Sequence, residues 1–237
     1  IENYKKKINF YETAGHLAED MLRDALHSSG IRAMVTSRAK SPARLKSKVT
    51  QRNEKRETPY KNMNEIYADI ADLSGVRVSL YFPGDRAKAD QVVNNLFHVT
   101  ETKKFPVQSK QPSYHKRFSG YWATHYRAGI KEELLDKKQK KYASVRLEIQ
   151  VASVLMHAWS EVEHDLVYKP LQGALSDEEL SILDELNGLV LAGEIALERL
   201  QAAGNARLRT KNASFGNQYD LAAYLYNYLS TRYKRFD

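Results

Sequence analysis

Two acidic residues stand beside or on predicted β-strands, where carboxylates commonly bind a hard divalent cation. Asp72 precedes the alternating apolar segment 76–82, and Glu148 lies on the polar face of a second alternating segment, 142–151. If the two strands are neighbours, both carboxylates reach one Mg²⁺ ion, which proteins hold with one or two carboxylates together with substrate phosphates. The simpler alternative is a helix-terminal Asp and a solvated strand Glu, and spacing alone favours that alternative.

Positive charge is concentrated in one stretch of the chain. Residues 31–61 contain ten Lys and Arg residues and two Glu residues, an excess equal to the net charge of +8 of the whole chain. The spacing of Arg38, Lys48 and Arg52 suits the phosphates of a nucleoside triphosphate. The competing interpretation is a solvated helix face, which charge runs of this kind usually form.

The chain offers planar side chains for bases but no glycine loop for phosphates. Arg77 and Tyr121 provide planar groups that stack on nucleobases. Only 11 of the 237 residues are Gly, and neither G-x-x-x-x-G-K-[ST] nor G-x-G-x-x-G occurs. Bound phosphates must therefore be contacted by Lys and Arg side chains.

Three further polar residues share one face of a predicted helix. His157, Glu161 and His164 are spaced i, i+4 and i+7, but H-E-x-x-H is absent and Glu161-x-x-His164 occurs once. A metal site here is the weaker interpretation. Polar lining of a pocket or a hydrogen-bond network on the helix surface is favoured.

Composition excludes several classes of protein. The chain has no Cys, which excludes disulfides, thiolate zinc sites, iron–sulfur clusters and a Cys nucleophile, and which fits a reducing cytoplasm. The mean hydropathy is −0.60, and no apolar run approaches the ~20 residues of a membrane helix. We therefore expect a soluble cytoplasmic protein without a membrane partner.

The elements that must position these residues follow from hydrophobic periodicity. Alternation predicts strands over 76–82, 121–130 and 142–151, and helical spacing predicts helices over 2–27, 64–71, 85–96, 152–168, 176–202 and 219–233. This order predicts an α+β fold, a mixed β-sheet flanked by helices. We divide the chain into an N-terminal helix packing on the domain (1–30), a catalytic core (31–170) and a C-terminal helical extension (171–237).

Four sequence blocks resemble the synthetase domain of the RelA/SpoT alarmone synthetases. They are Ser37-Arg38-Ala39-Lys40 with Lys48 downstream, the segment DLSGVRV at 72–78, the segment GYWATH at 120–125, and EIQV at 148–151 followed by MHAWSEVEHD at 156–165. The blocks occur in the family's order across residues 37–165. The resemblance implies a nucleotidyltransferase-like catalytic core and a small, synthetase-only type, because the 237 residues leave no room for the family's upstream hydrolase domain.

The resemblance also implies a donor site. By similarity to the family, Arg38 and Arg77 sandwich the adenine of ATP, and Lys40, Lys48 and Arg52 belong to the same ATP-binding set, with Lys48 and Arg52 on the phosphates. The implied reaction transfers the β,γ-pyrophosphate of ATP to the 3′-hydroxyl of GDP or GTP and releases AMP.

Metal and acceptor roles follow from the same resemblance. Asp72 and Glu148 resemble the catalytic Mg²⁺ ligands, and Glu148 is also placed to activate the attacking hydroxyl. On the acceptor side, Tyr121 matches a tyrosine that stacks on guanine. The polar residues assigned to the GDP or GTP site are His125, His157 and Glu163.

Two departures from the family pattern fall near the acceptor. Trp122 and Ala152 stand where the family usually has arginines. The donor and metal residues are retained, so the pattern for pyrophosphate transfer is more complete than the pattern for the acceptor. An adenine nucleotide or the 3′ end of tRNA is the alternative acceptor, and a catalytically inactive RNA-binding module is the non-enzymatic alternative.

Basic surface and apolar helix positions suggest further partners. The basic runs at 103–117 and 207–211 suit contact with RNA or tRNA phosphates, or are solvated surface. Five apolar residues of the helix predicted at 176–202 suit either a homo-oligomer or folding back onto the domain; they are Leu180, Leu183, Leu186, Leu189 and Val190.

Overall fold

A mixed five-stranded sheet forms the centre of a computed structural model that describes residues 1–106, 118, 122–167, 174–209 and 215–232. The strands are β1 (Ala33–Ala39), β2 (Ser74–Leu80), β3 (Phe97–Phe105), β4 (Ala123–Ile130) and β5 (Leu147–Ser153). In spatial order they are β1, β2, β5, β4 and β3. The central pair β2 and β5 is parallel, and the other neighbouring pairs are antiparallel.

Helices flank this sheet, which confirms the predicted α+β fold. Within the described residues they are α1 (Glu2–Lys5), α2 (Ile8–Ser28), α3 (Pro42–Glu54), α4 (Met63–Asp69), α5 (Arg86–Leu96), α6 (Val154–Val167), α7 (Asp177–Arg209) and α8 (Gln218–Arg232). No helix in these ranges is long and apolar enough to cross a membrane.

Alternation along the strands gives the sheet one apolar and one polar face. The residues at 76, 78, 147, 149 and 126 are buried, and they form one core cluster with residues of α2 and α5. Gly15 allows α2 to lie close to this sheet, because a Cβ atom there would stand 2.9 Å from Ser74 Oγ. The opposite face carries the polar residues, and toward the ends of β4 and β5 it packs on α6 and α7 through Ala123, Ala152 and Met156.

Several boundaries differ from the sequence predictions. Strands β1 and β3 were not predicted, because β1 lies within the charge-rich stretch and β3 is an edge strand with mostly polar residues. The strand predicted from 142 begins at Leu147, since Lys140–Tyr142 forms a 3₁₀ turn, which Ala143 N closes by donating to Lys140 O at 3.1 Å. The helix predicted over 2–27 is interrupted between α1 and α2.

The C-terminal helices fold back onto the domain. Ser176 and Glu179 form the capping box that the sequence indicates at the start of α7, with Glu179 N donating to Ser176 Oγ at 3.3 Å. Helix α8 approaches the turn after α2 at Gly30, whose φ of 70° and 2.8 Å Cβ clearance to Ala223 N both require glycine. Leu183 is buried, as folding back onto the domain requires, whereas Leu189 is exposed and available to a second copy of the chain. The homo-oligomer therefore stays a prediction. The three-part division of the chain also stays a prediction.

Candidate active site

Register brings the polar residues of five strands into two rows on one face of the sheet. Because directly paired residues on neighbouring strands point to the same face, each row is a set of adjacent side chains. The first row is Arg38, Gly75, Glu148, Arg127 and Glu101. The second row is Thr36, Arg77, Gln150, His125 and Lys103.

Two cavities lie on this face and share the two candidate metal ligands, Asp72 and Glu148. The larger cavity has a volume of about 350 Å³ and the smaller about 170 Å³. The cations lining the larger one are Arg38, Lys40, Arg44 and Arg77. Those lining the smaller one are Lys48, Arg52, Lys103 and Arg127, with His125 beside them. Strands β2 and β5 are neighbours, which meets the condition set from the sequence, and both acids lie between the two cationic cavities.

A third cavity, of about 540 Å³, lies away from these residues between α7, α8 and the end of β2. Its arginines Arg32 and Arg207 both approach Asp220, at 3.4 and 3.6 Å. Its second acid, Asp85, is buried and has a pKa raised by burial, which makes it a poorer ligand for a cation than Asp72 or Glu148, whose pKa values lie below their usual values. The chemistry therefore favours the two smaller cavities on the sheet as the candidate active site.

Asp72 is held by two lysines and retains one unpartnered oxygen. Lys40 Nζ lies 2.7 Å and Lys48 Nζ 2.8 Å from the same atom, Asp72 Oδ2. Burial raises the pKa of Asp72, but hydrogen bonds from the two lysines outweigh it, so the pKa lies below its usual value. Asp72 Oδ1 is buried without a hydrogen-bond partner. An ionised carboxylate with an open oxygen fits a divalent cation.

The N-terminal helices fix the backbone around Asp72. Tyr4 Oη donates to Lys40 O at 2.6 Å, and Lys40 N donates to Leu73 O at 2.9 Å. Ser74 Oγ donates to Tyr11 O at 2.8 Å. The bonds from Lys40 and Ser74 join the end of β1 and helix α2 to the segment that carries Asp72, and Tyr4 of α1 also donates to Leu73 O at 3.3 Å. These backbone contacts position the carboxylate.

Glu148 stands beside His125. His125 Nδ1 lies 3.6 Å from Glu148 Oε1, and both side chains are largely shielded from solvent. Burial raises the pKa of Glu148, but the hydrogen bond and charge of His125 outweigh it, so the pKa lies below its usual value. Glu148 is therefore ionised at neutral pH and able to accept a proton or contact a cation. The donor set of two carboxylates fits Mg²⁺, although no group of three metal-binding acids or histidines occurs among the described residues.

Helix α3 presents two of the predicted phosphate-binding residues on one face. Its N-cap is Ser41, whose Oγ accepts from Arg44 N at 3.3 Å, and Pro42 is its first residue. Lys48 and Arg52 are four residues apart and both line the smaller cavity. Arg52 is fixed by Asp69, with Nη1 at 2.7 Å from Oδ2.

Helix α6 carries two residues that the sequence assigned to the acceptor site. His157 is buried, and its Nε2 lies 3.0 Å from Val78 O; since that carbonyl accepts, Nε2 donates. Glu163 is also buried, and neither residue lines the two cavities as the described residues define them. Tyr121 lies outside the described residues. The acceptor roles of these three residues stay predictions.

Several residues at the site were not singled out from the sequence. Arg127 lines the smaller cavity and contacts Glu101. Its spacing of two from His125 on a predicted strand was the available signal. Glu101 gave no signal, because β3 itself was not predicted. Gln150, on the predicted polar face of β5, lines the larger cavity.

Comparisons with known proteins identify the family of the chain and its fold. The sequence profile described as a region found in RelA / SpoT proteins matches residues 37–172. No curated protein matched the chain in sequence.

Solved structures of a GTP pyrophosphokinase family protein and of small alarmone synthetases share this fold. A GTP pyrophosphokinase family protein from Streptococcus pneumoniae is similar at a TM-score of 0.67 and 19% identity, covering 86% of this chain and 95% of that one. Small alarmone synthetase 1 from Bacillus subtilis is similar at 0.65 and 17%, covering 87% and 100%. The latter protein was also solved bound to its product pppGpp, with a TM-score of 0.62, 17% identity and coverage of 86% and 100%. At these identities the structures establish the fold, and the sequence match, which covers more than half of the chain, establishes that it belongs to the RelA/SpoT family.

Proposed function

We propose that the chain is a (p)ppGpp synthetase that transfers the β,γ-pyrophosphate of ATP to the 3′-hydroxyl of GDP or GTP. The observation that carries this proposal is the pair Asp72 and Glu148 at the junction of two cationic cavities. Two nucleotides must meet at one metal ion in such a reaction, and each brings phosphates that need cations. Membership of the RelA/SpoT family supports the same reaction.

The larger cavity suits the donor. Arg38 and Arg77 line it with planar cationic groups that stack on a purine. Lys40 and Lys48 both form ion pairs with Asp72, and a triphosphate would give both ammonium groups a more highly charged partner. Bound at Asp72 and Glu148, Mg²⁺ would neutralise negative charge on the transferred phosphates.

The smaller cavity suits the acceptor, and Glu148 faces both sides. The ionised Glu148 takes the proton from the 3′-hydroxyl as that oxygen attacks the β-phosphorus of ATP. The bond between the β-phosphorus and the bridging α,β-oxygen breaks, and AMP leaves with the oxygen. His125 orients the Glu148 carboxylate from 3.6 Å. Lys103 and Arg127 supply cations for the acceptor phosphates, while Lys48 and Arg52, which line the same cavity beside Asp72, stay assigned to the phosphates of ATP.

An assay with labelled ATP, Mg²⁺ and a single acceptor tests the proposal. We expect AMP and a 3′-pyrophosphorylated guanine nucleotide in equal amounts with GDP or GTP. Glu198→Gln, which alters an ion pair with Arg86 outside both cavities, serves as a control that keeps wild-type turnover. No product with any guanine nucleotide would refute the proposed function.

A second acceptor deserves the same assay because of the edge strand β3. Lys103 lines the smaller cavity and is more than half exposed, and Lys104 follows it at the exposed end of the strand. Such a basic edge offers phosphate contacts beyond a mononucleotide. Labelling of tRNA or of an adenine nucleotide in place of GDP or GTP would favour this candidate. Measured turnover with any acceptor would exclude an inactive RNA-binding module.

A further inference from the structure

Helix α6 contacts two consecutive residues of β2 through one face. His157 donates to the carbonyl of Val78 at 3.0 Å, and Glu161, one turn later, forms an ion pair with the guanidinium of Arg77. The spacing i, i+4 places both side chains on the same side of the helix. The backbone contact fixes α6 against β2, and the ion pair fixes the side chain that lines the larger cavity.

The ion pair engages the edge of the guanidinium and leaves its face open. Glu161 Oε1 accepts from Arg77 Nη2, an in-plane donor. A base stacks on the guanidinium plane, so the two contacts are compatible.

Glu161 also balances the charge of the two arginines that line the larger cavity. Two guanidinium groups on opposite faces of one base repel each other. The pKa of Glu161 is lowered by the hydrogen bond from Arg77 and further by the charges of Arg77 and Arg38. One ionised carboxylate therefore interacts with both arginines and offsets their repulsion.

We propose that Glu161 is a positioning residue of the donor site, which holds the edge of Arg77 so that its planar face stacks on the adenine of ATP. The inference rests on the proposed function, because it assigns the larger cavity to ATP. This positioning role differs from a general electrostatic role because it affects binding of the base and not binding of the phosphates. A negative side chain acting only through its charge would weaken phosphate binding, and its removal would strengthen it.

Calorimetric binding with two probes separates these roles. One probe is AMPCPP, a non-hydrolysable analogue of ATP, and the other is inorganic tripolyphosphate, which has no base; both are used with Mg²⁺. We expect Glu161→Ala to raise the Kd of AMPCPP about tenfold, the size of one misplaced cation–π stack, and to leave tripolyphosphate binding within about twofold.

The protein supplies a matched control and a test of the route. Arg86 and Glu198 form an ion pair of nearly the same exposure, 29% and 49%, as the 30% and 49% of Arg77 and Glu161. Glu198→Ala should leave AMPCPP binding unchanged. In an Arg77→Ala background, Glu161→Ala should have no further effect, because the residue it positions is absent. Glu161→Gln keeps the acceptor oxygen and should restore part of the affinity.

Kinetics provide a second readout and separate the two proposals. Glu161→Ala should raise KM for ATP with kcat and the acceptor KM within about twofold of wild type. Equal losses for AMPCPP and tripolyphosphate, unchanged AMPCPP binding or tighter AMPCPP binding would each overturn the inference. Wild-type protein that binds AMPCPP but transfers no pyrophosphate would refute the proposed function, while the binding comparison would still decide the role of Glu161.

Discussion

The buried His157 makes stability depend on pH in a calculable way. Its pKa is lowered from 6.5 to about 4, first by burial and then by the charges of Arg77 and His125, against the opposing effects of Val78 O and Glu161. Between these two pKa values the unfolded chain binds a proton that the folded chain does not. The stabilising contribution is therefore complete above the unfolded pKa and decreases as the pH falls toward about 4.

The size of the effect follows from the two pKa values. From about pH 7 to about pH 5, proton uptake at this single site lowers the free energy of unfolding by about 2 kcal/mol, and the complete loss below about pH 4 is about 3 kcal/mol. His157 is 5% exposed, so solvent does little to screen its imidazole. Protonation also acts at the contact that fixes α6 to β2.

Urea unfolding of wild type and His157→Gln at the two pH values measures this contribution. The glutamine amide keeps a donor for Val78 O but does not titrate. We expect the wild type to lose about 2 kcal/mol more than the variant between about pH 7 and about pH 5. His98→Gln, a change at an exposed ring on β3, should lose as much as the wild type. Equal losses in wild type and His157→Gln would refute the reasoning.

Three further predictions follow from the site and the fold. Asp72→Asn and Glu148→Gln should each lower kcat at least about 100-fold, because each removes a charge that would hold the metal. Circular dichroism and the unfolding midpoint should stay close to wild type, because neither change removes core volume. A variant with full activity would contradict the metal assignment. Gly15→Ala should lower the free energy of unfolding by about 1–3 kcal/mol, because its Cβ would stand 2.9 Å from Ser74 Oγ, and unchanged urea midpoints would contradict that close approach. In calorimetric titrations, Mg²⁺ should bind at least about tenfold more weakly without nucleotide than in the presence of AMPCPP, because two lysine ammonium groups already contact one oxygen of Asp72. Equal affinities would contradict this coupling between Mg²⁺ and nucleotide binding.

The sequence predicted the central part of the site better than its margins. Glu148 was assigned to a polar strand face because hydrophobic alternation along β5 is regular, and the same regularity in β2 located Arg77. Hydrophobic periodicity could not show that β2 and β5 are neighbours, since strand pairing depends on contacts between segments that are distant in sequence. Glu101 was missed because β3 is a polar edge strand whose exposed residues carry little hydrophobic signal.

The contacts of α6 were the least predictable feature. Helical spacing placed His157 and Glu161 on one face, and the favoured interpretation was polar lining of a pocket or a hydrogen-bond network on the helix surface. Their partners, Val78 O and the Arg77 guanidinium, lie about 80 residues earlier in the chain, at sequence separations of 79 and 84. Only the packing of α6 on the parallel pair β2 and β5 brings them together, and no local pattern encodes that packing.

Internal acids explain how a cationic site remains stable before nucleotides bind. Asp72 contacts two lysines, Asp69 contacts Arg52, Glu161 contacts Arg77, and Glu101 contacts Arg127. These pairs reduce repulsion among the clustered cations, and they act through the edges or single atoms of the basic groups. The faces of the guanidinium groups and the remaining ammonium protons stay available for bases and phosphates. A chain poor in glycine can therefore build a nucleotide site from side chains alone, provided that an acid orients each cation without covering the surface that the nucleotide uses.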